Sequence, residues 1–195
     1  KVIMPPGKRK KLTTEEIATI KSWIDGGAHK PEVVRRRELV VPKIDPKVSP
    51  RRPINAAAYA SRVIALARYR EVELISFETR LPLRTLSGHR GNVNALAFAA
   101  EGKYLFAAAG ENGLFGEVRQ WNVAEGKLVR TFEGHRDALF SVAVSPDGKT
   151  LVTGSYDQKI KLWNIESGEE IRTLSGHNGC VFDLAFRPDG KLLAS

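Results

Sequence analysis

Apolar residues alternate with polar ones over short runs through most of the chain. Val93-Asn94-Ala95-Leu96-Ala97-Phe98, Leu139-Phe140-Ser141-Val142-Ala143-Val144 and Val181 to Phe186 each read as a strand of about six residues. Each is followed by a turn signal: Glu101-Gly102-Lys103, Pro146-Asp147-Gly148-Lys149 and Pro188-Asp189-Gly190-Lys191. Asp-Gly between apolar runs marks a hairpin. The period changes only near the start. There Ile17, Ile20 and Ile24 recur at helical spacing, flanked by Trp23, and predict a helix over about residues 14–25. Thr13 can cap it, Glu16 completes a capping box, and Gly26-Gly27 stops it. One short helix with one apolar face is not a domain, so it must pack on something else.

The strand units repeat. Leu83-Arg84-Thr85-Leu86-Ser87-Gly88-His89, Leu128-Val129-Arg130-Thr131-Phe132-Glu133-Gly134-His135 and Ile171-Arg172-Thr173-Leu174-Ser175-Gly176-His177 share one frame. The Gly-His pairs lie 46 and 42 residues apart. Trp121-Asn122 and Trp163-Asn164 each begin thirteen residues before the next unit's glycine, and Ile75 stands at that place in the earliest unit. The four extra residues of the longer unit fall in Glu111-Asn112-Gly113-Leu114-Phe115-Gly116, read as a longer hairpin loop.

A period of some forty residues with these landmarks resembles the WD-repeat family, whose blades have four strands each. The resemblance covers about residues 55–195. It implies a mainly β fold, a partial propeller of about three four-stranded blades. In that family a histidine, a Ser/Thr, an aspartate and a tryptophan form a buried hydrogen-bond chain within a blade. His135, Ser155, Asp157 and Trp163 match all four places, and His177 begins the next unit. The preceding blade keeps only His89 and Trp121, so its network should be weaker. A histidine recurring once per blade at a structural spacing reads as a satisfied core group, not as an acid–base catalyst or a metal ligand.

Residues 1–28 carry a second resemblance. Met4-Pro5-Pro6, a short loop, then Leu12 through Ala28 look like the end of a c-type cytochrome domain, closest to those fused to propellers in planctomycete-type bacterial proteins. The resemblance implies Met4 as the axial sulfur ligand of haem iron in the parent domain. The Cys-x-x-Cys-His that attaches haem is absent from this chain, so covalent haem is not expected here. Residues 29–54, with Pro31, Pro42, Pro46, Pro50 and Pro53 among basic residues, read as an extended linker in which Leu39-Val40-Val41 could add an edge strand.

Composition narrows the picture. The net charge is +9 and is concentrated early, in residues 8–11, 35–37 and 51–52. No aromatic residues interleave with these runs, which favours solvated linker charge over a nucleic-acid surface. Cys180 is the only cysteine and sits in an apolar strand-like stretch, which excludes an internal disulfide or a thiolate zinc site. No apolar run is long enough to span a membrane. The chain reads as an internal fragment: cytochrome tail, basic linker, and propeller blades cut short at the C-terminus.

The functional expectation is a protein- or peptide-binding platform with no catalytic residues, within a parent that binds haem c and exchanges electrons with a redox partner. In the cytochrome family haem is attached outside the cytoplasm, so that reading implies an extracytoplasmic (periplasmic) location. Two alternatives stand beside it. One is a plain cytoplasmic WD-repeat scaffold with an N-terminal docking helix. The other is a nucleic-acid-associated propeller using the basic linker.

Overall fold

The computed structural model of the chain describes residues 12–27 and 53–195. Met4, the Leu39-Val40-Val41 run and nearly all of the linker lie outside the described residues. The chain divides into two units, Lys1–Val48 and Ser49–Ser195.

The first unit contains helix α1 (Thr14–Asp25). Thr13 is its N-cap. The Glu16 N–H donates to Thr13 Oγ1 at 3.3 Å, and the Thr13 N–H donates to Glu16 Oε2 at 2.8 Å. Two otherwise orphaned donors are thereby satisfied. Past the Gly26 C-cap, Gly27 takes φ +89°, which stops the helix. Every residue of α1 is exposed, including Ile17, Ile20, Trp23 and Ile24.

The second unit is a stack of antiparallel sheets. Strands β1 (Ala56–Ala60), β2 (Val63–Ala67) and β3 (Tyr69–Ser76) pair in order, followed by the long β4 (Pro82–Ala99). β4 is long because it serves two blades. Its first part pairs with β3, from Pro82 opposite Ile75 to Ser87 opposite Glu71. Its second part, Asn92 to Ala99, pairs with β5 (Tyr104–Glu111). β6 (Phe115–Asn122) and β7 (Lys127–His135) complete the second blade. β8 (Leu139–Val144), β9 (Thr150–Ser155), β10 (Lys159–Asn164) and β11 (Glu170–Ser175) form the third. A short pair, β12 (Ala185–Phe186) and β13 (Leu193–Ala194), starts a fourth.

The earliest unit is therefore a full blade despite its weak pattern. Ile64 faces Ile75 there as Leu105 faces Trp121 and Leu151 faces Trp163 in the next two. The insertion behaves differently from the expected loop. The β5–β6 ladder runs on to Glu111 opposite Phe115, so the extra residues lengthen two strands around a tight turn. The residues added to the ladder pair across it, where an open loop would leave their backbone groups to solvent.

The cores lie between blades. Leu105, Ala107 and Ala109 point back to Ala65, Val72, Leu74 and Leu86 of the first blade. Phe106 and Ala108 point forward to Phe132, Leu139, Leu151 and Trp163. Successive side chains on a strand face opposite ways, so a middle blade is apolar on both faces. That is why Leu105-Phe106-Ala107-Ala108-Ala109 is an unbroken apolar run.

Candidate functional site

The connections β2–β3, β5–β6 and β9–β10, together with those leading into β8 and toward β12, lie at one end of the stack, because neighbouring strands alternate direction. This rim carries exposed side chains suited to contact: Tyr69, Leu114, Tyr156 and Phe182, between 51% and 71% exposed, with exposed Arg90 and Arg136. Phe140 sits between Tyr156 and Phe182, with ring centroids 6.3 and 5.5 Å away. Aromatic and arginine side chains dominate protein interfaces because each buries a large area at small entropic cost.

In the third blade a buried relay holds the rim. The Trp163 indole N–H donates to Thr153 Oγ1 at 3.0 Å. Thr153 Oγ1 is 2.8 Å from His135 Nε2, and His135 Nδ1 is 2.9 Å from Asp157 Oδ2. The indole can only donate and the carboxylate can only accept. The chain therefore runs in one direction, with the threonine hydroxyl donating to Nε2 and a neutral imidazole donating Nδ1–H to Asp157. Burial lowers the His135 pKa below its ordinary value, against the pull of the Asp157 carboxylate. Burial also presses the Asp157 pKa upward. Hydrogen bonds from the Arg136 N–H and from His135 outweigh it, and the net shift is downward. Asp157 also accepts from the backbone N–H groups of Arg136 at 3.1 Å and Lys159 at 3.0 Å. The loops bearing Arg136 and Tyr156 are thus fastened to the blade interior.

The hydroxyl in this relay is Thr153, and the expectation for Ser155 is corrected. Both residues lie on the same strand face, two apart, so alternation alone does not choose between them. Depth along the strand does, because Thr153 lies level with the indole. Ser155 sits at the rim end, where its Oγ donates to the carbonyls of Asp137 and Ala138, each at 3.1 Å, and accepts the Asp157 N–H.

His177 is placed differently from the buried position expected of it. It is exposed, with Nε2 2.8 Å from Ser195 Oγ. Ser195 aligns with Thr153 by register, so the hydroxyl–histidine link of the relay recurs. In the second blade, His89 and Trp121 are buried, and among the described residues His89 Nδ1, His89 Nε2 and Trp121 Nε1 have no hydrogen-bond partner. Ala107 stands where the third blade has Thr153, Ala109 where it has Ser155, and the exposed Glu111 where it has Asp157. Burial, reinforced by the Arg119 charge, lowers the His89 pKa to about 4.

A second polar anchor, centred on Glu117, was missed by the sequence reading. Its buried carboxylate accepts from Arg90 Nε at 3.0 Å and Arg119 Nε at 3.1 Å. Arg90 also reaches Glu133 at 3.0 Å and lies over the Phe115 ring, 4.3 Å from its centre. The signal was available. Glu117 and Arg119 share strand parity with Trp121, which was expected inside.

Thr153, His135 and Asp157 are ordered like a hydrolytic triad. Yet Thr153 is fully buried, the His135 side chain is 1% exposed, and the hydroxyl is already engaged by Trp163. A substrate has no access to that oxygen. Cys180 is half-buried, and burial, with the Asp137 and Asp157 charges, raises its thiol pKa. Among the described residues no helix is long and apolar enough to cross a membrane.

The repeat model described as "WD domain, G-beta repeat" matches residues 80–114, 126–164 and 168–195. The Aspergillus niger protein "Eukaryotic translation initiation factor 3 subunit I" is 37% identical over 77 residues, 40% of this chain and 22% of that protein. The Caenorhabditis elegans "DDB1- and CUL4-associated factor 11 homolog" is 33% identical over 94 residues, 47% of this chain and 16% of that protein. The human "WD repeat-containing protein 36" is 33% identical over 86 residues, 44% of this chain and 9% of that protein. The chain thus spans less than a quarter of the length of these curated relatives. With three successive repeats matched over more than half of its residues, the chain belongs to the WD domain, G-beta repeat family.

Proposed function

We propose that the chain is a non-catalytic interaction scaffold that binds a protein or peptide through the rim bearing Arg136, Tyr156 and Phe182. The observation that carries this is the contrast between exposed contact residues and the buried relay that fixes the loops beneath them. Preorganised loops lose little entropy on binding, so more of the contact energy appears as affinity. Two relatives support the reading by name, one as a subunit of an initiation factor and one as an associated factor of DDB1 and CUL4. Affinity capture with the wild-type chain, Tyr156→Ala/Phe182→Ala, and Lys149→Ala/Lys191→Ala at the opposite end tests it. Partners lost only with the rim variant support the reading; partners retained by that variant overturn it.

A finer reading rests on the resemblance of residues 1–28 to a cytochrome tail and on the capped amphipathic helix α1. On it, the parent polypeptide carries haem c outside the cytoplasm and exchanges electrons with a redox partner, with Met4 as axial ligand. This chain does not itself complete such a site. Its single cysteine lies in the blade region, so two thioether attachments are not available from it. The test is an absorption spectrum of the upstream-extended protein made with a c-type haem maturation system. A low-spin haem spectrum lost on Met4→Ala supports the reading, and absence of haem leaves the plain, cytoplasmic scaffold.

A further inference from the structure

The β5–β6 hairpin of the second blade stands higher on the rim than its neighbours. Ala108 opposite Val118, Gly154 opposite Ile160 and Ala67 opposite Val72 are matching pairs in the second, third and first blades. Beyond them the chain runs through residues 109–117 in the second blade, 155–159 in the third and 68–71 in the first. The surplus projects from the rim, at about 3.3 Å per strand residue. Blades in series pack flank against flank, so a neighbouring blade stands beside a rim feature and does not cover it.

This hairpin is fastened to the third blade. The Gly113 N–H at its tip donates to Asp137 Oδ1 at 2.8 Å, and the same oxygen accepts the Ala138 N–H at 2.8 Å. A Cβ at Gly110 would lie 2.6 Å from Ala138 Cα, and one at Gly116 would lie 2.4 Å from the Asp137 carbonyl oxygen. Those two glycines let the hairpin backbone rest directly on the loop of residues 136–138. The third blade's own turn holds that loop from the other side. The Tyr156 N–H donates to the Ala138 carbonyl at 3.0 Å, and the Arg136 N–H donates to Asp157 at 3.1 Å.

Arg136 therefore stands between two fixed apolar walls. One is Leu114, 71% exposed, the most exposed large apolar side chain among the described residues. The other is Tyr156, with Phe140 beside it. The carboxylates nearby are engaged within the chain. Asp137 and Asp157 accept backbone N–H groups, and Glu117 and Glu133 hold Arg90. The Arg136 guanidinium has no ion-pair partner among the described residues. Glu111 is exposed, but so are Arg70 and Arg136, and the surface between the walls is left cationic. Its complement is a carboxylate with apolar groups on either side.

We propose, resting on the rim reading above, that the valley between Leu114 and Tyr156 takes an extended segment of a partner with an Asp or Glu between two bulky apolar residues. Alternate side chains of an extended chain share a face, so the three recognised residues are spaced two apart. The carboxylate meets Arg136, and the apolar side chains cover Leu114 and Tyr156. Both walls are bonded in place beforehand, so little ordering is left to be done on binding.

The test is panning of phage-displayed random peptides against the full chain, then fluorescence anisotropy with one enriched peptide. Enriched sequences are expected to carry the apolar–acidic–apolar spacing. The chosen peptide should bind about tenfold more weakly to Leu114→Ala and to Arg136→Glu, and more weakly as salt is raised. Circular dichroism is expected to show both variants folded, since each change is at an exposed side chain. Failure to enrich any peptide, or enrichment of another pattern, would overturn the inference. So would binding that survives both substitutions but is lost in Tyr156→Ala/Phe182→Ala, which leaves the rim reading standing. Binding that survives all three variants would overturn both.

Discussion

Replacing His89 by leucine should leave the protein as stable as before at neutral pH, or more so, and should remove part of its sensitivity to acid. His89 is fully buried, and neither ring nitrogen has a hydrogen-bond partner among the described residues. An apolar residue of similar size gives up no bond there and frees two unsatisfied groups, each costing about 1–3 kcal/mol. The acid effect follows from the pKa. Burial and the Arg119 charge lower it from 6.5 to about 4. Between those values the unfolded chain takes up a proton that the folded chain refuses. This contribution is therefore neutral above pH 6.5, grows more destabilising as pH falls, and levels off below pH 4 at about 3 kcal/mol. At pH 5 it amounts to about 2 kcal/mol. Urea unfolding followed by circular dichroism at pH 7.5, 6, 5 and 4.5 measures it. His89→Leu should flatten the acid limb by that amount, with the residual slope shared by His135 and, toward pH 4.5, by carboxylates whose pKa the fold lowers, such as Glu170. His135→Leu should instead cost about 2–3 kcal/mol at pH 7.5, because Asp157 and Thr153 lose a buried partner. Equal losses from the two substitutions, or an unchanged acid limb in His89→Leu, would refute the reasoning.

Ala107→Thr should place a hydroxyl between His89 and Trp121, as Thr153 lies between His135 and Trp163, and raise stability by about 1 kcal/mol in the same assay; a loss of that size would mean the site cannot accept the added volume. Gly168→Ala should cost about 2–3 kcal/mol through left-handed strain and overlap with Arg130. Arg130 donates to the Ser167 and Glu166 carbonyls of that turn; in Arg130→Ala the overlap is gone, so the two substitutions together should cost clearly less than their sum, and strict additivity would refute the contact. Thr13→Ala should remove the α1 cap and lower helix stability by about 1 kcal/mol, read as lost protection of the first-turn amides of α1 in hydrogen exchange; unchanged protection would show that the cap contributes nothing.

Much of the blade architecture was legible in the sequence because blades repeat. The Gly-His and Trp-Asn landmarks locate the chain reversals, and the Asp-Gly turns locate the hairpins. The first blade was harder to see, since Ile75 replaces the tryptophan and a strand needs only an apolar side chain there. The relay was half legible. His135, Asp157 and Trp163 are where the pattern puts them, but Thr153 and Ser155 share one strand face, and only depth relative to the indole separates them. Glu117 was overlooked because a lone carboxylate in a strand suggests solvent. Its burial follows from Arg90 and Arg119, which approach it from two different strands. The arginine contacts between blades, Arg84 to the Ala124 and Glu125 carbonyls and Arg130 to those of Glu166 and Ser167, could not be read from one unit alone, because each joins residues some forty positions apart.

The central claim is that a buried relay fastens the loops carrying the contact residues. Native-state hydrogen exchange at the Arg136, Asp157 and Lys159 amides, in wild type and Thr153→Ala, tests this most directly. All three N–H groups donate within the blade. The account expects them to be strongly protected in wild type, with Arg136 and Lys159 exchanging at least tenfold faster once the hydroxyl is gone. Rates near those of exposed amides in wild type, or rates unmoved by the substitution, would contradict it.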